Sequence, residues 1–113
     1  MYELLDIYKE DYRDNRFSGH VVYKNNDELI DVCMPVGSWD KSTIVNNLIR
    51  SKYSQDSVEA LINNHLLKLS EWQDKIFGGE NPGKLEDPEY DELQEWRKTC
   101  KQWADEALEK FPE

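Results

Sequence analysis

Four side chains in this 113-residue chain are suited to nucleophilic, acid–base or metal chemistry: His20, Cys33, His65 and Cys100. A zinc site needs such ligands at short, repeated spacings, and none of the four has a partner at a ligand spacing. The chain also lacks a nucleophile elbow and a glycine-rich phosphate loop. His65 falls on the apolar side of a helical pattern, where a hydrogen-bonded core histidine is the simplest account. Cys33 and Cys100 read as small buried apolar residues of a reducing compartment. Their spacing leaves a disulfide between them open. Carboxylates are everywhere, with 24 Asp and Glu in all, so paired acids are no evidence of acid–base work. No enzyme activity, metal or cofactor is expected. A catalytic role would require Cys33 or His20 to emerge in a pocket beside a base.

The net charge of −10 repels phosphate backbones and anionic membranes, so neither is an expected partner. The charge is concentrated. Residues 80–95 hold Glu80, Glu86, Asp87, Glu89, Asp91, Glu92 and Glu95 against Lys84 alone, a local net of −6. The cluster lacks the central glycine and ordered spacing of a calcium loop. Ordinary helix-start chemistry explains part of it: Asp87 as cap, Pro88 in the first turn, acids set against the helix dipole.

The elements that must position these groups follow from periodicity. Residues 1–37 read mainly as β. "YELLDIY" alternates imperfectly, so a strand or a short amphipathic helix fits there. "FSGHVVYKNNDELIDVCMPVG" gives two runs around an Asn/Asp turn. Ile30, Val32 and Met34 form the wholly apolar side to be buried, and Pro35 and Gly37 end the run. Residues 40–77 read as two helices. Ile44, Val45, Leu48, Ile49 and Tyr53 share one face, behind a cap at Asp40 or Ser42. Ser54 caps the second helix, where Val58, Leu61, Ile62, His65, Leu66, Leu69, Trp72 and Ile76 recur at spacings of three and four. Gly78 and Gly79 stop it. An ordinary helical hairpin is expected here over a helix-turn-helix reader, because Asp56 and Glu59 stand where a recognition helix needs positive charge. Residues 78–87 are an acidic loop and 88–111 a C-terminal helix, ended by Pro112. The whole predicts one α+β domain over residues 1–113: an antiparallel hairpin or three-stranded meander, then three helices packed on one face.

In the last helix, Leu93, Trp96, Cys100, Trp103, Ala107 and Phe111 form a single stripe close to a heptad seam. Leu93, Trp96 and Cys100 are assigned to the core. Trp103 and Phe111 are candidates for contact with a protein partner or a second copy, since aromatic residues anchor interfaces.

"LIRSKYSQDSVEALINNHL" followed by "EYDELQEWRKTCKQWADEA" resembles a pattern in small proteins of tailed phages and prophages of Bacteroides-type gut bacteria. The matching positions are Arg50, Lys52, Tyr53 and Ser54, then Glu92, Trp96, Arg97 and Lys98. The resemblance covers about the C-terminal 70 residues of the chain. It implies a mobile-element origin and an accessory or virion-associated role, and it carries no catalytic residue. The expectation is therefore a non-enzymatic interaction, structural or assembly protein. The alternative is an acidic decoy of a host nucleic-acid-binding enzyme, with Glu86, Asp87, Glu89, Asp91, Glu92 and Glu95 as its surface. The charged N-terminus, free of any long apolar run, predicts neither signal peptide nor anchor. The expected location is the cytoplasm of a bacterial host, or a virion.

Overall fold

Three β-branched and aromatic runs form an antiparallel meander in the computed structural model, which describes residues 2–112. Strand β1 (Tyr2–Asp11) pairs with the central β2 (Phe17–Asn25), which pairs with β3 (Glu28–Met34). The β2–β3 hairpin turns on Asn26, whose φ of 56° is tolerated by asparagine far better than by most residues. Val21 faces Val32 and Tyr23 faces Ile30 across it, so one face of the hairpin is apolar. The imperfect alternation of "YELLDIY" has a structural cause. The register shifts between Leu4 and Asp6, so Leu5 is the extra residue of a bulge. Leu4 and Ile7, three apart, therefore both reach the core face.

Three helices follow, each with a side chain capping its start. In α1 (Lys41–Lys52) Asp40 accepts from the Thr43 amide at 2.9 Å. In α2 (Gln55–Phe77) Ser54 accepts from the Ser57 amide at 3.1 Å. In α3 (Pro88–Lys110) Asp87 accepts from the Tyr90 amide at 3.4 Å. Each cap satisfies one of the amides a helix start leaves unpaired. Gly79, at φ 86°, closes the far end of α2.

The core lies between the inner sheet face and two of these helices. Ile7, Val21, Tyr23, Val32 and Met34 meet Ile44 and Leu48 of α1, and Trp96, Cys100, Trp103, Ala104 and Ala107 of α3. Trp39, from the β3–α1 connection, seals one edge. Its ring lies so close over Gly19 that a side chain there would overlap it. Its indole Nε1 donates to the Phe111 carbonyl. The Lys110 amine donates to the Ile7 carbonyl, so the end of α3 is clasped to the sheet.

The expectation of three helices packed on one face holds for two. Among the described residues, no α2 side chain is buried and none joins the core cluster. Its 23 residues span about 34 Å at 1.5 Å per residue, and they project from the body. The molecule measures 65 × 29 × 24 Å with a radius of gyration of 18.4 Å. A compact domain of this length would have about 13 Å. The extended break at Tyr53 sends α2 away from α1, and residues 78–87 then return beside it, with Trp72 Nε1 donating to the Gly83 carbonyl at 2.8 Å. No helix among the described residues is long and apolar enough to cross a membrane.

Candidate functional site

Three regions gather the residues singled out above. The first is the outer face of the sheet, where Tyr8, His20 and Cys33 stand side by side across the three strands. His20 Nδ1 lies 2.9 Å from Asp31 Oδ1, and Tyr8 stacks on the imidazole at 4.4 Å between ring centres. Tyr8 also donates to Asp31 at 2.7 Å, and that bond raises its phenol pKa to about 12. His20 Nε2 comes within 3.3 Å of Glu10 without making a hydrogen bond. A histidine beside carboxylates is thus present, buried beneath the Tyr8 ring on the outer sheet face. The clefts at the α2–α3 junction and beside Trp39 do not include it. Cys33 is exposed on this face, whereas Cys100 is buried beneath the other. The sheet separates them, so the two thiols do not meet. Burial pushes the Cys100 thiol up to about 12, which keeps it protonated and inert.

The second region is α3. Trp103 was a candidate contact residue, and the structure corrects this. It is 7% exposed, 5.2 Å from the Tyr23 ring and edge-on to Trp96 at 5.6 Å. The reason is that the stripe from Trp96 to Phe111 packs into the core cluster with the sheet, so that part of the seam is consumed internally. Phe111 is likewise half-buried against the core, its carbonyl held by Trp39 and its ring 5.4 Å from the Lys9 amine. Asp87 is also corrected: it is 5% exposed and does not belong to an acidic surface. His65 Nδ1 sits 3.1 Å from one oxygen and Lys68 Nζ 3.3 Å from the other. Burial alone would raise the Asp87 pKa, but the bonds from His65, the Tyr90 amide and Lys68 outweigh it and hold the carboxyl below its ordinary range. His65 stacks on Tyr90 at 3.6 Å, so it is satisfied at the α2–α3 crossing and not in the core. Glu86, Glu89, Asp91, Glu92 and Glu95 are exposed. Glu92 pairs with Lys52 at 2.9 Å, and Glu89 and Glu92 line a cleft of about 380 Å³ with Tyr53, Ser57, Ala60 and Leu61. Asp91 and Glu95 do not line that cleft.

The third region is α2 itself. The return loop and the start of α3 touch the side carrying His65, Lys68 and Trp72. The adjoining side carries Val58, Ile62, Leu66, Leu69, Ile76 and Phe77. Leu66 is 56% exposed, Ile76 44% and Phe77 88%, while Val58, Ile62 and Leu69 are partly buried. Residues 60–70 carry a single charge, Lys68, and it is turned toward Asp87. The sequence pattern of this helix was legible, but the pattern by itself cannot distinguish a stripe that meets a core from one that does not. The wide spread of its apolar positions, with Leu67 outside the stripe, was the available signal.

Among the described residues no group of three or more His, Cys, Asp or Glu side chains is arranged to hold a metal ion. No family model, curated protein or solved structure matches the chain.

Proposed function

We propose that this chain is a non-enzymatic interaction protein whose contact element is the projecting helix α2. The observation that carries this is one helix of 23 residues with a full apolar stripe and no buried side chain. Leaving such a stripe in water forfeits about 25 cal/mol for every Å² that burial would remove, so it favours a covering surface. Monomeric proteins rarely expose contiguous apolar patches beyond a few hundred Å² unless they serve an interaction. The lack of charge along residues 60–70 supports the same reading, because interface centres are depleted of charged residues. The acidic-decoy alternative is weakened by the local pairing, since Asp87 is buried and Glu92 is engaged by Lys52. The resemblance to phage and prophage proteins supports a mobile-element setting for the module.

The test is capture from lysate of the native source, with the tagged chain as bait and washes at low and then high salt. Proteins held through high salt by the wild type and lost with Leu66→Asp support the reading. Capture that is unchanged by Leu66→Asp, or released by salt alone, goes against it and toward an electrostatic partner.

A further inference from the structure

We infer that the cleft between the starts of α2 and α3 is a second contact site, which takes an arginine side chain from a basic segment of a partner protein. It lies away from the apolar stripe of α2 and stands whether or not that stripe has a partner. Tyr53, Ser57, Ala60, Leu61, Glu89 and Glu92 line it, around a volume of about 380 Å³. That falls within the roughly 300–1,000 Å³ of ligand clefts.

The neighbouring Lys52 shows that this corner of the fold favours a cation. Its amine lies 4.4 Å from the Tyr2 ring centre, 4.9 Å from that of Tyr53 and 5.7 Å from that of Trp96. The Glu92 carboxylate accepts from it at 2.9 Å. Ring faces and a carboxylate around a nitrogen cation are the chemistry by which such cations are recognised. Burial alone would lower the Lys52 pKa, but Tyr2, Glu92 and Tyr53 outweigh it and hold the amine above its ordinary range. Tyr53 and Glu92 are shared between Lys52 and the cleft.

Charge points the same way. The cleft lining holds two carboxylates and no cation, and Lys52 answers one of them. Glu89 has no ion pair or hydrogen bond among the described residues, so one negative charge is left over. Residues 80–95 sum to −6, and a cleft set in a field of one sign concentrates counter-ions.

Shape selects arginine. Glu89 and Glu92 stand three apart on α3, which sets their Cβ atoms about 5–6 Å from each other. A planar guanidinium with five donors reaches two carboxylates at once and stacks on a ring such as Tyr53, whereas an ammonium is a point charge. Its weak hydration suits walls such as Ala60 and Leu61, which would cover the aliphatic stem. The rim is open, with Ser57, Ala60, Glu89 and Glu92 exposed, so a peptide backbone can lie outside. Further basic residues of such a segment would then meet Glu86 and Asp91, a contact closed to a small free cation.

The experiment follows backbone amide shifts of the isotope-labelled full chain by NMR at low salt. The probe is a glycine–serine heptapeptide with blocked ends and one central arginine, titrated to about 10 mM. Matched peptides carry lysine or the uncharged isostere citrulline, and agmatine supplies the same guanidinium free of a peptide. Glu89→Lys and Glu95→Lys make the same charge change on α3, inside and outside the cleft, and both positions are exposed. The expected result is saturable shifts at Ser57, Ala60 and Leu61, with the arginine peptide bound at least ~3-fold tighter than the lysine one. Glu89→Lys should weaken it at least ~10-fold and Glu95→Lys by no more than about twofold. Absence of saturable shifts at these residues overturns the site. Equal binding of the citrulline peptide, or equal loss in the two variants, overturns recognition of the cation by the cleft. Lysine binding as tightly as arginine overturns the choice of side chain. Agmatine binding at least ~10-fold tighter than the peptide overturns a protein segment as its source.

Discussion

Replacing Trp103 with Ala separates a core residue from a contact residue. The indole is 7% exposed and packs on Tyr23 and Trp96 at 5.2 and 5.6 Å, so its removal leaves a large cavity under the sheet. Truncations of this kind cost about 3–5 kcal/mol. A domain of this size is stable by only about 5–15 kcal/mol, so the loss is a large share of the total. With a urea dependence of about 1.5 kcal/mol per molar, the unfolding midpoint should fall by roughly 2–3 M. Far-UV circular dichroism is the suitable signal, because the substitution removes one of four tryptophans and alters the fluorescence baseline. A midpoint that hardly moves would refute the placement of Trp103 in the core.

Gly19→Ala should destabilise the fold by about 1–3 kcal/mol, because the new methyl meets a Trp39 ring that its bond to Phe111 keeps in place. Thermal melts check this, and an unchanged midpoint would mean that Trp39 can swing aside. A thiol reagent on the native chain should modify Cys33 alone, with Cys100 reacting only after unfolding, as peptide mapping by mass spectrometry would show. Two modified thiols in the folded protein would contradict the burial of Cys100. Asp87, with its folded pKa held below the ordinary 3.8, contributes stability that is fully present above that value and is lost as pH falls through the lowered one. Asp87→Asn should therefore be less stable at neutral pH and show a flatter acid limb in urea titrations from pH 5 downward. Equal acid slopes in the two proteins would remove Asp87 from that role.

Local chemistry in the sequence determined the elements of this chain. Asp40, Ser54 and Asp87 cap helices because a short polar side chain reaches an amide two or three residues ahead, an interaction needing nothing from the rest of the fold. Gly79, Asn26 and Pro88 mark turns and starts for equally local reasons, and the apolar set Ile30, Val32 and Met34 named the buried face of its hairpin. The first strand was ambiguous because the bulge at Leu5 breaks the alternation, and only pairing with β2 shows where the register slips. Site assignments fared differently, since a stripe of apolar residues reports that a face prefers burial without saying what buries it. The α3 and α2 stripes look alike by spacing. The sheet lies beneath α3 and takes up Trp103, while the break at Tyr53 carries α2 clear of any core. Asp87 belonged to an acidic run on paper and became a buried anchor once His65 and Lys68 arrived from another helix. Which apolar face remains open to a partner was therefore decided by tertiary packing, because burial depends on distant segments of the chain and the pattern within one segment does not encode them.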